Sequence, residues 1–272
     1  MKGPQILFEN EDRLVTKMGG WFPGERVVMR GQDLHVDLAD MDWMELYLYG
    51  ITGRRFTEVQ LKVLNGLWRT TSYPEPRLWN NRVCALAGTA RSTGVLAVTA
   101  GMAVSEAGIY GRRASIRTID FLVRTKKALD QGADLLECIK EELERHRNIY
   151  GYGRPVTRED ERIAHLLNLI KEAGLEQGSY VRMVFEIERL LLEGRWRMYM
   201  NFSALASAIA CEIGLSPREY YLFMIPCFVA GMLPCFIEAS EKPEGSFFPL
   251  SCERLCYEGL PLRSWGSPSC PM

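Results

Sequence analysis

The chain has 272 residues, 47% of them hydrophobic, which is enough for a sizeable core in one large domain or two unequal ones. Its 33 basic and 34 acidic residues give a formal net charge of −1. No global field would therefore attract nucleic acid or an anionic membrane, and we expect neither as a partner. Local basic clusters have to be judged one by one.

The N-terminal region predicts short strands and turns. ILFEN favours a short strand, and GERVVMRG fits a small β-hairpin. No apolar run of signal-peptide length precedes the first charges, so secretion is not indicated. Almost no parallel-strand pattern follows residue 35. The predicted fold class is therefore mostly α with a small N-terminal β-hairpin.

The first long helices are predicted before residue 108. MDWMELYLYG favours an apolar helix that ends at Gly50, and Thr57 is a suitable N-cap for the helix TEVQLKVLNGLW. Residues 85–108, ALAGTARSTGVLAVTAGMAVSEAG, are dominated by Gly, Ala, Ser and Thr. Small side chains let helices approach closely, so this segment is expected in the middle of the molecule or in a subunit interface.

Amphipathic helices follow in the second half of the chain. SIRTIDFLVRTKKALDQ and ADLLECIKEELERHRN are separated near Gly132, and DERIAHLLNLIKEAG ends at Gly174. SYVRMVFEIERLLLEG repeats the pattern, and FSALASAIACEIG ends at Gly214. Ser216 and Pro217 then open the next helix in the favoured order of cap and proline.

Residues 220–237 form an uncharged apolar run that approaches the length needed to cross a membrane. The run contains Pro226 and Pro234 and is bracketed by Glu219 and Glu238. We interpret it as a buried central helix that is kinked or broken at its prolines. A membrane-spanning helix is the alternative, and solubility without detergent would exclude it.

The cysteines and histidines indicate neither a disulfide framework nor a metal site. The eight cysteines contain no CxxC pair, and most of the first five lie in apolar surroundings, as buried reduced thiols of a cytoplasmic protein do. The three histidines, His35, His146 and His165, are scattered along the chain. We therefore expect no metal site and no tightly bound cofactor.

The stretch GYGRPVTREDER at residues 151–162 has the composition of a binding-site wall. Its glycines allow close approach of the backbone to a ligand, and Pro155 stiffens the residues after it. Arg154 stays protonated and cannot shuttle protons, so it suits an anion better than acid–base chemistry. The stretch lacks the Gly-Lys-Ser/Thr of a phosphate-binding loop.

Several of these pieces, in this order, resemble the citrate synthase superfamily, which includes the citryl-CoA lyase module of ATP-citrate lyase. The resemblance covers roughly residues 26–238. Its motifs are RGQDLHVDLADMDWMELYLYGITGRRFTEVQLKVLNGLW, ARSTGVLAVTAGMAVSEAGIYGRRAS, GYGRPVTREDERI, MNFSALASAI and FVAGMLPCFIE. Each motif is weak by itself, but their order makes the resemblance moderately specific.

The resemblance implies a two-domain helical fold and a homodimer. The large domain would comprise residues 1–113 and 216–272, and a small domain at residues 114–215 would close over the ligand. It also implies a small carboxylate or an acyl-CoA thioester as ligand, with CoA entering as part of a substrate. The small-residue segment at 85–108 would then belong to the dimer core.

The expected catalytic His, His and Asp of this family are replaced in the chain. Tyr110 and Arg154 stand at the matching histidine positions, and Asn201 stands at the aspartate position. Asn201 cannot act as a base, Arg154 is a poor proton donor, and Tyr110 can donate a hydrogen bond. Phe228 and Cys235 stand where a substrate-binding arginine and a histidine are expected.

The candidate catalytic residues are accordingly Tyr110, Arg154 and Asn201, and the candidate substrate-binding residues are Arg162, Arg112 and Arg113. Each has a structural alternative, as an ion pair with Glu159 or Asp160, a solvated helix start, a packed aromatic or a helix cap. The leading hypothesis is a divergent enzyme, a lyase or acyltransferase, that forms or cleaves a C–C bond. The alternative is a catalytically silent relative that binds a metabolite or regulates a partner.

Overall fold

A computed structural model describes residues 4–108, 111–154, 159–247 and 251–260 of the chain. The N-terminal part contains a short helix, α1 (Gln5–Glu9), and three strands, β1 (Gly19–Phe22), β2 (Arg26–Met29) and β3 (Gln32–Asp33). The strands form an antiparallel sheet in the order β1-β2-β3, with Gly19 opposite Met29 in the first hairpin. The predicted N-terminal hairpin is confirmed.

The prediction of a strand at ILFEN is wrong, because this segment forms α1. Its hydrogen bonds are local: the Leu7 amide donates to the Pro4 carbonyl, and the Asn10 side chain donates to the Ile6 carbonyl. A strand needs a neighbouring strand as a partner, and the three-stranded sheet uses other residues.

The rest of the described chain is helical, as the periodicity predicts. The helices are α2 (Trp43–Thr52), α3 (Glu58–Thr71), α4 (Trp79–Thr89), α5 (Gly94–Val104), α6 (Arg112–Asp130), α7 (Leu135–His146), α8 (Arg162–Glu172), α9 (Ser179–Glu193), α10 (Phe202–Glu212), α11 (Pro217–Phe223) and α12 (Val229–Glu241). The predicted breaks near Gly132, Gly174 and Gly214 all fall between helices.

The helix ends show which local signals were sufficient. Thr57 and Ser216 both form capping boxes, with Gln60 and Glu219 as their respective partners, as their sequence positions indicate. α2, by contrast, continues past Gly50 and ends at Thr52, where Gly53 adopts a φ of 71°. Arg30 stabilises this later end, because its guanidinium donates to the Gly50 and Ile51 carbonyls at 3.0 and 3.1 Å.

The main hydrophobic core surrounds α10, in which every residue from Ala204 to Ala210 is buried. This core joins side chains from both predicted domains, for example Leu64 of α3 and Leu166 of α8. The core therefore crosses the expected domain boundary, and the division at residues 113 and 215 stays a prediction. The arrangement places α3 and α8 side by side at the surface.

The small-residue segment brings α4, α5 and α12 into close contact. A Cβ atom on Gly88 would collide with the Phe236 carbonyl of α12, and one on Gly101 would lie 2.8 Å from the Cys84 sulfur of α4. The other face of α5 is open: Val95 and Leu96 are 77% and 62% exposed. The segment thus lies partly inside the molecule and partly on its surface.

The apolar run at residues 220–237 is broken at Pro226, as predicted, whereas Pro234 lies within a continuous helix, α12. α11 ends at Phe223, a short 3-10 helix spans Ile225–Phe228, and α12 follows. The span Pro217–Glu241 is nevertheless long and apolar enough, by length and composition, to cross a membrane, and 39% of its most apolar window is buried within the chain. Tyr220, Phe223 and Met224 belong to the main core.

Candidate functional site

The turn Gly151–Gly153 positions the site, and its first glycine cannot be replaced without strain. Gly151 has a φ of +94°, and a Cβ atom there would lie 2.8 Å from Thr118 and 2.9 Å from Ala204. The turn is held to the strand-like residues before α10, because the Asn201 amide donates to the Gly151 carbonyl at 2.9 Å. The loop that begins at Gly151 is thereby fixed against α6 and the start of α10.

Asp160 is the buried centre of the site, with a fully inaccessible side chain. Its carboxylate accepts hydrogen bonds from Arg162 Nε at 2.8 Å and Nη2 at 2.6 Å, and from the Phe202 amide at 2.8 Å. Arg154 Nη1 lies 3.8 Å away. Burial acts to raise the pKa of Asp160, but the hydrogen bonds and charge of Arg162, with the Phe202 amide, outweigh burial and lower that pKa.

Arg162 is held in one orientation by its neighbours. Besides its two bonds to Asp160, its guanidinium carbon lies 4.6 Å from the Phe202 ring centre and 5.7 Å from that of Tyr73. Within the described part of the chain, its Nη1 has no hydrogen-bond partner. Arg162 can therefore offer one fixed cationic donor to a ligand while it remains paired with Asp160.

Arg154, Glu161 and Tyr73 form a hydrogen-bonded chain beside this pair. Arg154 Nη1 donates to Glu161 Oε2 at 2.6 Å, and the Tyr73 hydroxyl donates to Glu161 Oε1 at 3.0 Å. The hydrogen bond from Arg154 is the main cause of the lowered pKa of Glu161. Burial, followed by the bond to Glu161, raises the pKa of Tyr73. At neutral pH these hydrogen-bonded side chains therefore include an ionised carboxylate, Glu161, and a protonated phenol, Tyr73.

Asn201 occupies the N-cap of α10, which agrees with the capping alternative. Its Oδ1 accepts from the Ser203 amide at 2.9 Å, and its Nδ2 donates to the Gly153 carbonyl at 2.9 Å. Both ends of the side-chain amide therefore serve local structure. Its catalytic role stays a prediction.

A cavity of about 420 Å³ opens between α3 and α8 next to these groups. Arg69, Thr70 and Tyr73 line it from one side, and Glu161, Arg162 and His165 line it from the other. The backbone of Tyr73 is fixed, because its carbonyl accepts from the Asn81 side chain and packs directly against Gly231 of α12. The cavity, which is open to solvent, brings together an ionised carboxylate, a phenol and cationic donors.

The structure gathers three of the predicted site residues and separates two others. Arg154, Arg162 and Asn201 surround the loop that carries Asp160. Arg112 lies elsewhere and is 3% exposed, where its side chain donates to Glu106, to the Met102 carbonyl and to the Ile225 carbonyl. Arg113 is exposed on α6. Tyr110 lies outside the described residues.

Sequence reasoning treated Asp160 only as an ion-pair alternative and missed Glu161 and Tyr73 as site residues. The Asp160 alternative is what the structure shows for Arg162. Tyr73 lies in the connection between α3 and α4 and was not among the predicted site residues. Its hydrogen bond to Glu161 joins residues 88 positions apart, and no local pattern announces such a contact.

A second groove, of about 740 Å³, lies between α7 and the end of α9. Lys140, Arg147 and Arg195 supply its cationic side chains, and Trp196 supplies an aromatic surface. The Arg195 guanidinium lies 5.9 Å from the Trp196 ring centre. Such a lining suits a phosphorylated ligand that carries a flat ring.

Across residues 4–108, 111–154, 159–247 and 251–260, no group of three or more His, Cys, Asp or Glu side chains is arranged to hold a metal ion. Cys84, Cys227 and Cys235 are buried free thiols. Burial raises the pKa of Cys84 to about 11, so this thiol is not activated for nucleophilic chemistry.

Comparisons with known proteins identify the fold. No protein-family model and no curated protein sequence matches the chain. Among solved structures, citryl-CoA lyase from Hydrogenobacter thermophilus superposes with a TM-score of 0.79 at 17% identity, over 92% of this chain and 96% of the other.

Two further structures extend the likeness. ATP citrate lyase from Methanothrix soehngenii, in complex with citrate and coenzyme A, gives a TM-score of 0.72 at 13% identity, over 100% of this chain and 46% of that one. Citrate synthase from Thermoplasma acidophilum gives a TM-score of 0.64 at 16% identity, over 84% of this chain and 59% of that one. The chain therefore spans about half the length of the ATP citrate lyase and somewhat more than half the length of the citrate synthase. At these identities the likeness concerns the fold, and the chain has the citrate synthase-like fold that its motifs predict.

Proposed function

We propose that the protein is a citrate synthase-like enzyme that forms or cleaves a C–C bond in a small carboxylate or acyl-CoA thioester bound between α3 and α8. The observation that carries the proposal is the convergence of Tyr73, Glu161 and Arg162 on one cavity. Three kinds of group that such a reaction needs, a base, a hydrogen-bond donor and an anion contact, are thus within one space. The solved structures with this fold include a citryl-CoA lyase and a citrate synthase.

In the cleavage direction, the ionised Glu161 would accept the proton of a substrate hydroxyl. The C–C bond next to that hydroxyl carbon then breaks, its electron pair forms an enolate on the thioester, and the hydroxyl carbon becomes a carbonyl. The Tyr73 hydroxyl, which donates to Glu161 in the free protein, would turn to donate to the enolate oxygen, and Arg162 Nη1 would hold a substrate carboxylate. Glu161 would then return the proton to the enolate carbon, which completes the acyl-CoA product. Arg154 keeps Glu161 ionised, while Asn201 and Tyr110 remain candidate catalytic residues.

CoA would enter as part of the substrate and not as a tightly bound cofactor. The groove between α7 and α9 supports this proposal, since Lys140, Arg147 and Arg195 can pair with phosphates and Trp196 can stack on a base. Glu144 and Glu193 also line the groove, and they limit its net positive charge.

One observation favours the silent metabolite-binding alternative. Arg154 and Arg162 are both paired with carboxylates of the chain itself, and Asn201 uses both ends of its amide for local structure. In a catalytically silent protein these contacts would serve only to stabilise the fold. Such a protein is expected to bind a carboxylate or a CoA thioester without converting it.

Glu161→Gln is expected to lower turnover at least 100-fold, because the amide cannot accept the substrate proton. Formation of oxaloacetate from citryl-CoA, followed by its reduction with NADH in a coupled malate dehydrogenase assay, measures this, because the cleavage leaves the thioester intact. Glu172→Gln is the matched control: Glu172 is the last residue of α8, which begins directly after Glu161, and it lines the same cavity, but it pairs with Lys62 at 2.7 Å. Equal turnover in the two variants would remove Glu161 from the mechanism, and binding of citryl-CoA without formation of oxaloacetate would favour the silent alternative.

We also propose that the protein is a homodimer that buries the open face of α5. Val95 and Leu96 are exposed there beside the small residues Thr99, Ala100 and Ala103, which allow a second helix to approach closely. Large exposed apolar side chains on such a face favour association. The buried free thiols support a cytoplasmic location for this assembly.

Val95→Glu is expected to convert the dimer to a monomer, because two buried carboxylates would face each other across the axis. Multi-angle light scattering distinguishes the 31.0 kDa monomer from a species of twice that mass. Val36→Glu is the matched control, since Val36 is 75% exposed against 77% for Val95 and lies in the turn after β3. A wild-type mass of one chain, or a Val95→Glu protein that stays dimeric, contradicts the proposed interface.

A further inference from the structure

The break at Pro226 leaves backbone carbonyls without their helical donors. Pro226 has no N–H group to donate to the Leu222 carbonyl, and in a continuous helix its ring would clash with that carbonyl. The Cys227 amide donates to the Met224 carbonyl at 3.4 Å, one residue short of its helical acceptor, Phe223. Carbonyls inside a protein need a hydrogen-bond donor, so these must be bound by other groups.

Side chains from three other helices and their ends bind the carbonyls around the break. At distances of 2.7–3.1 Å, the bonds run from Tyr47 Oη to Leu222, from Trp68 Nε1 to Phe223, from Arg112 Nη1 to Ile225 and from Ser72 Oγ to Cys227. Residues 222–227 are thereby tied to α2, to the end of α3 and to the start of α6.

The last turn of α3 makes two of these bonds. Trp68 and Ser72 are four residues apart, as are their acceptors Phe223 and Cys227, so one face of α3 runs along the broken segment. The Trp68 ring also stacks on the Phe223 ring, with 5.1 Å between their centres. The Ser72 hydroxyl lies 2.8 Å from the Trp68 carbonyl as well, so it joins the end of α3 to the 3-10 segment.

Ser72 is the residue at which the chain leaves α3 toward Tyr73. It is the C-cap of α3, with φ −86° and ψ 54°, which is close to an inverse γ-turn and neither helical nor extended. Since Tyr73 follows directly, the direction of its side chain depends on this backbone conformation. The bond to the Cys227 carbonyl restrains Ser72 on one side of Tyr73, and the Asn81 side chain holds the Tyr73 carbonyl on the other.

We propose that Ser72 is a positioning residue for Tyr73, and that its bond to the Cys227 carbonyl directs the Tyr73 hydroxyl toward Glu161 and the cavity. This inference rests on the proposed function, because it assumes that Tyr73 donates to the enolate oxygen. The described lining of the cavity includes Tyr73 but not Ser72, so Ser72 acts through its neighbour. The hydroxyl is at the far end of a long side chain, where a small change of backbone direction becomes a large displacement, and a displacement of about 1 Å can cost about 100-fold in rate.

Ser72→Ala, compared with Tyr47→Phe in the full chain, tests the proposal. Each substitution removes one hydroxyl that lies 2.7 Å from a carbonyl at the break, so both are expected to lower the melting temperature by about 2–4 °C. Only Ser72→Ala is expected to lower kcat for the formation of oxaloacetate from citryl-CoA, by about tenfold, with little change in KM. Tyr47→Phe should keep the wild-type kcat, because the described lining of the cavity includes no residue of α2.

The same substitution in a Tyr73→Phe chain shows whether Ser72 acts through the Tyr73 hydroxyl. Once that hydroxyl is absent, Ser72→Ala should cause no further loss of kcat. A further loss of the same size would mean that Ser72 acts independently of Tyr73, and it would overturn the proposal. A wild-type kcat for Ser72→Ala, while Tyr73→Phe lowers kcat, also overturns it and leaves the proposed function standing.

Fluorine NMR supplies a measurement that does not require turnover. A fluorotyrosine placed at residue 73 is expected to give one narrow resonance in the wild-type chain and in Tyr47→Phe, and a broadened or split resonance in Ser72→Ala. One narrow resonance in Ser72→Ala overturns the positioning role. If the wild type forms no oxaloacetate, or if Tyr73→Phe keeps the wild-type kcat, a broadened resonance in Ser72→Ala supports the positioning of the phenol and removes the catalytic role of Tyr73.

Discussion

Asp160→Ala is expected to lower the free energy of unfolding by about 3–5 kcal/mol, the usual cost of removing one partner from a buried ion pair. The substitution leaves Arg162, whose side chain is 21% exposed, without the carboxylate that accepts two hydrogen bonds from its guanidinium and one from its backbone amide, and it leaves the Phe202 amide unsatisfied. Urea denaturation followed by circular dichroism measures the change.

Asp120→Ala is the control for this prediction. Asp120 also accepts a hydrogen bond from an arginine, Arg124, at 2.8 Å, but its side chain is 57% exposed. Exposed pairs contribute about 0–1 kcal/mol, so the control should change stability little. A loss of less than about 1 kcal/mol for Asp160→Ala would mean that Asp160 is not the structural centre of the loop.

The same carboxylate predicts the direction of a pH effect. Because the pKa of Asp160 is lowered in the folded chain, its contribution is present above the unfolded value of about 3.9 and is lost as the pH falls through the folded value. The stability difference between the wild type and Asp160→Ala should therefore narrow in acid. A difference that stays constant from pH 7 down to pH 2 would contradict the lowered pKa.

Gly151→Ala is expected to cost about 2–4 kcal/mol of stability, from two separate causes. A positive φ is strained for alanine by about 1–2 kcal/mol, and overpacking against Thr118 and Ala204 adds about 1–3 kcal/mol. The turn should also shift, so ligand binding in the cavity is expected to weaken. Urea denaturation measures the first effect, and citrate calorimetry measures the second.

Gly132→Ala separates the two causes. Gly132 has a φ of +89°, close to the +94° of Gly151, but nothing lies within 4 Å of a Cβ atom there. This variant should show the backbone strain alone, about 1–2 kcal/mol, and no loss of citrate affinity. Equal losses for both variants would show that the contacts of Gly151 with α6 and α10 do not constrain the turn.

The sequence was a reliable guide to the fold wherever the deciding contacts are local. The apolar periodicity located the helices, and the side chains of Thr57 and Ser216 capped α3 and α11 because their partners lie three residues away. The end of α2 was misplaced at Gly50 because Arg30, from the distant hairpin, binds the carbonyls of the last turn. A strand was expected at ILFEN because strand-like composition does not reveal whether a partner strand exists.

In the site, too, local features could be predicted from the sequence and long-range contacts could not. The spacing within residues 151–162 brought Arg154 and Arg162 together, and the choice between a ligand contact and an ion pair with Asp160 could not be made from the sequence. Tyr73 approaches these residues only through the packing of α3 against α8. Arg69 and His165 belong to ordinary amphipathic helix patterns, so nothing local marks them as cavity residues.

The clamped backbone of Tyr73 has a consequence for substrate choice. The Asn81 side chain and Gly231 hold the Tyr73 carbonyl from two sides. Ligand binding therefore restricts only the side-chain rotation of Tyr73, because its backbone is already fixed. Little conformational entropy is then lost when the hydroxyl forms a hydrogen bond to the ligand. A phenol whose backbone is fixed cannot move to reach an acceptor oxygen at a different position. A compound that has the same charges as the substrate, but with its carbonyl moved by one bond, should therefore bind poorly.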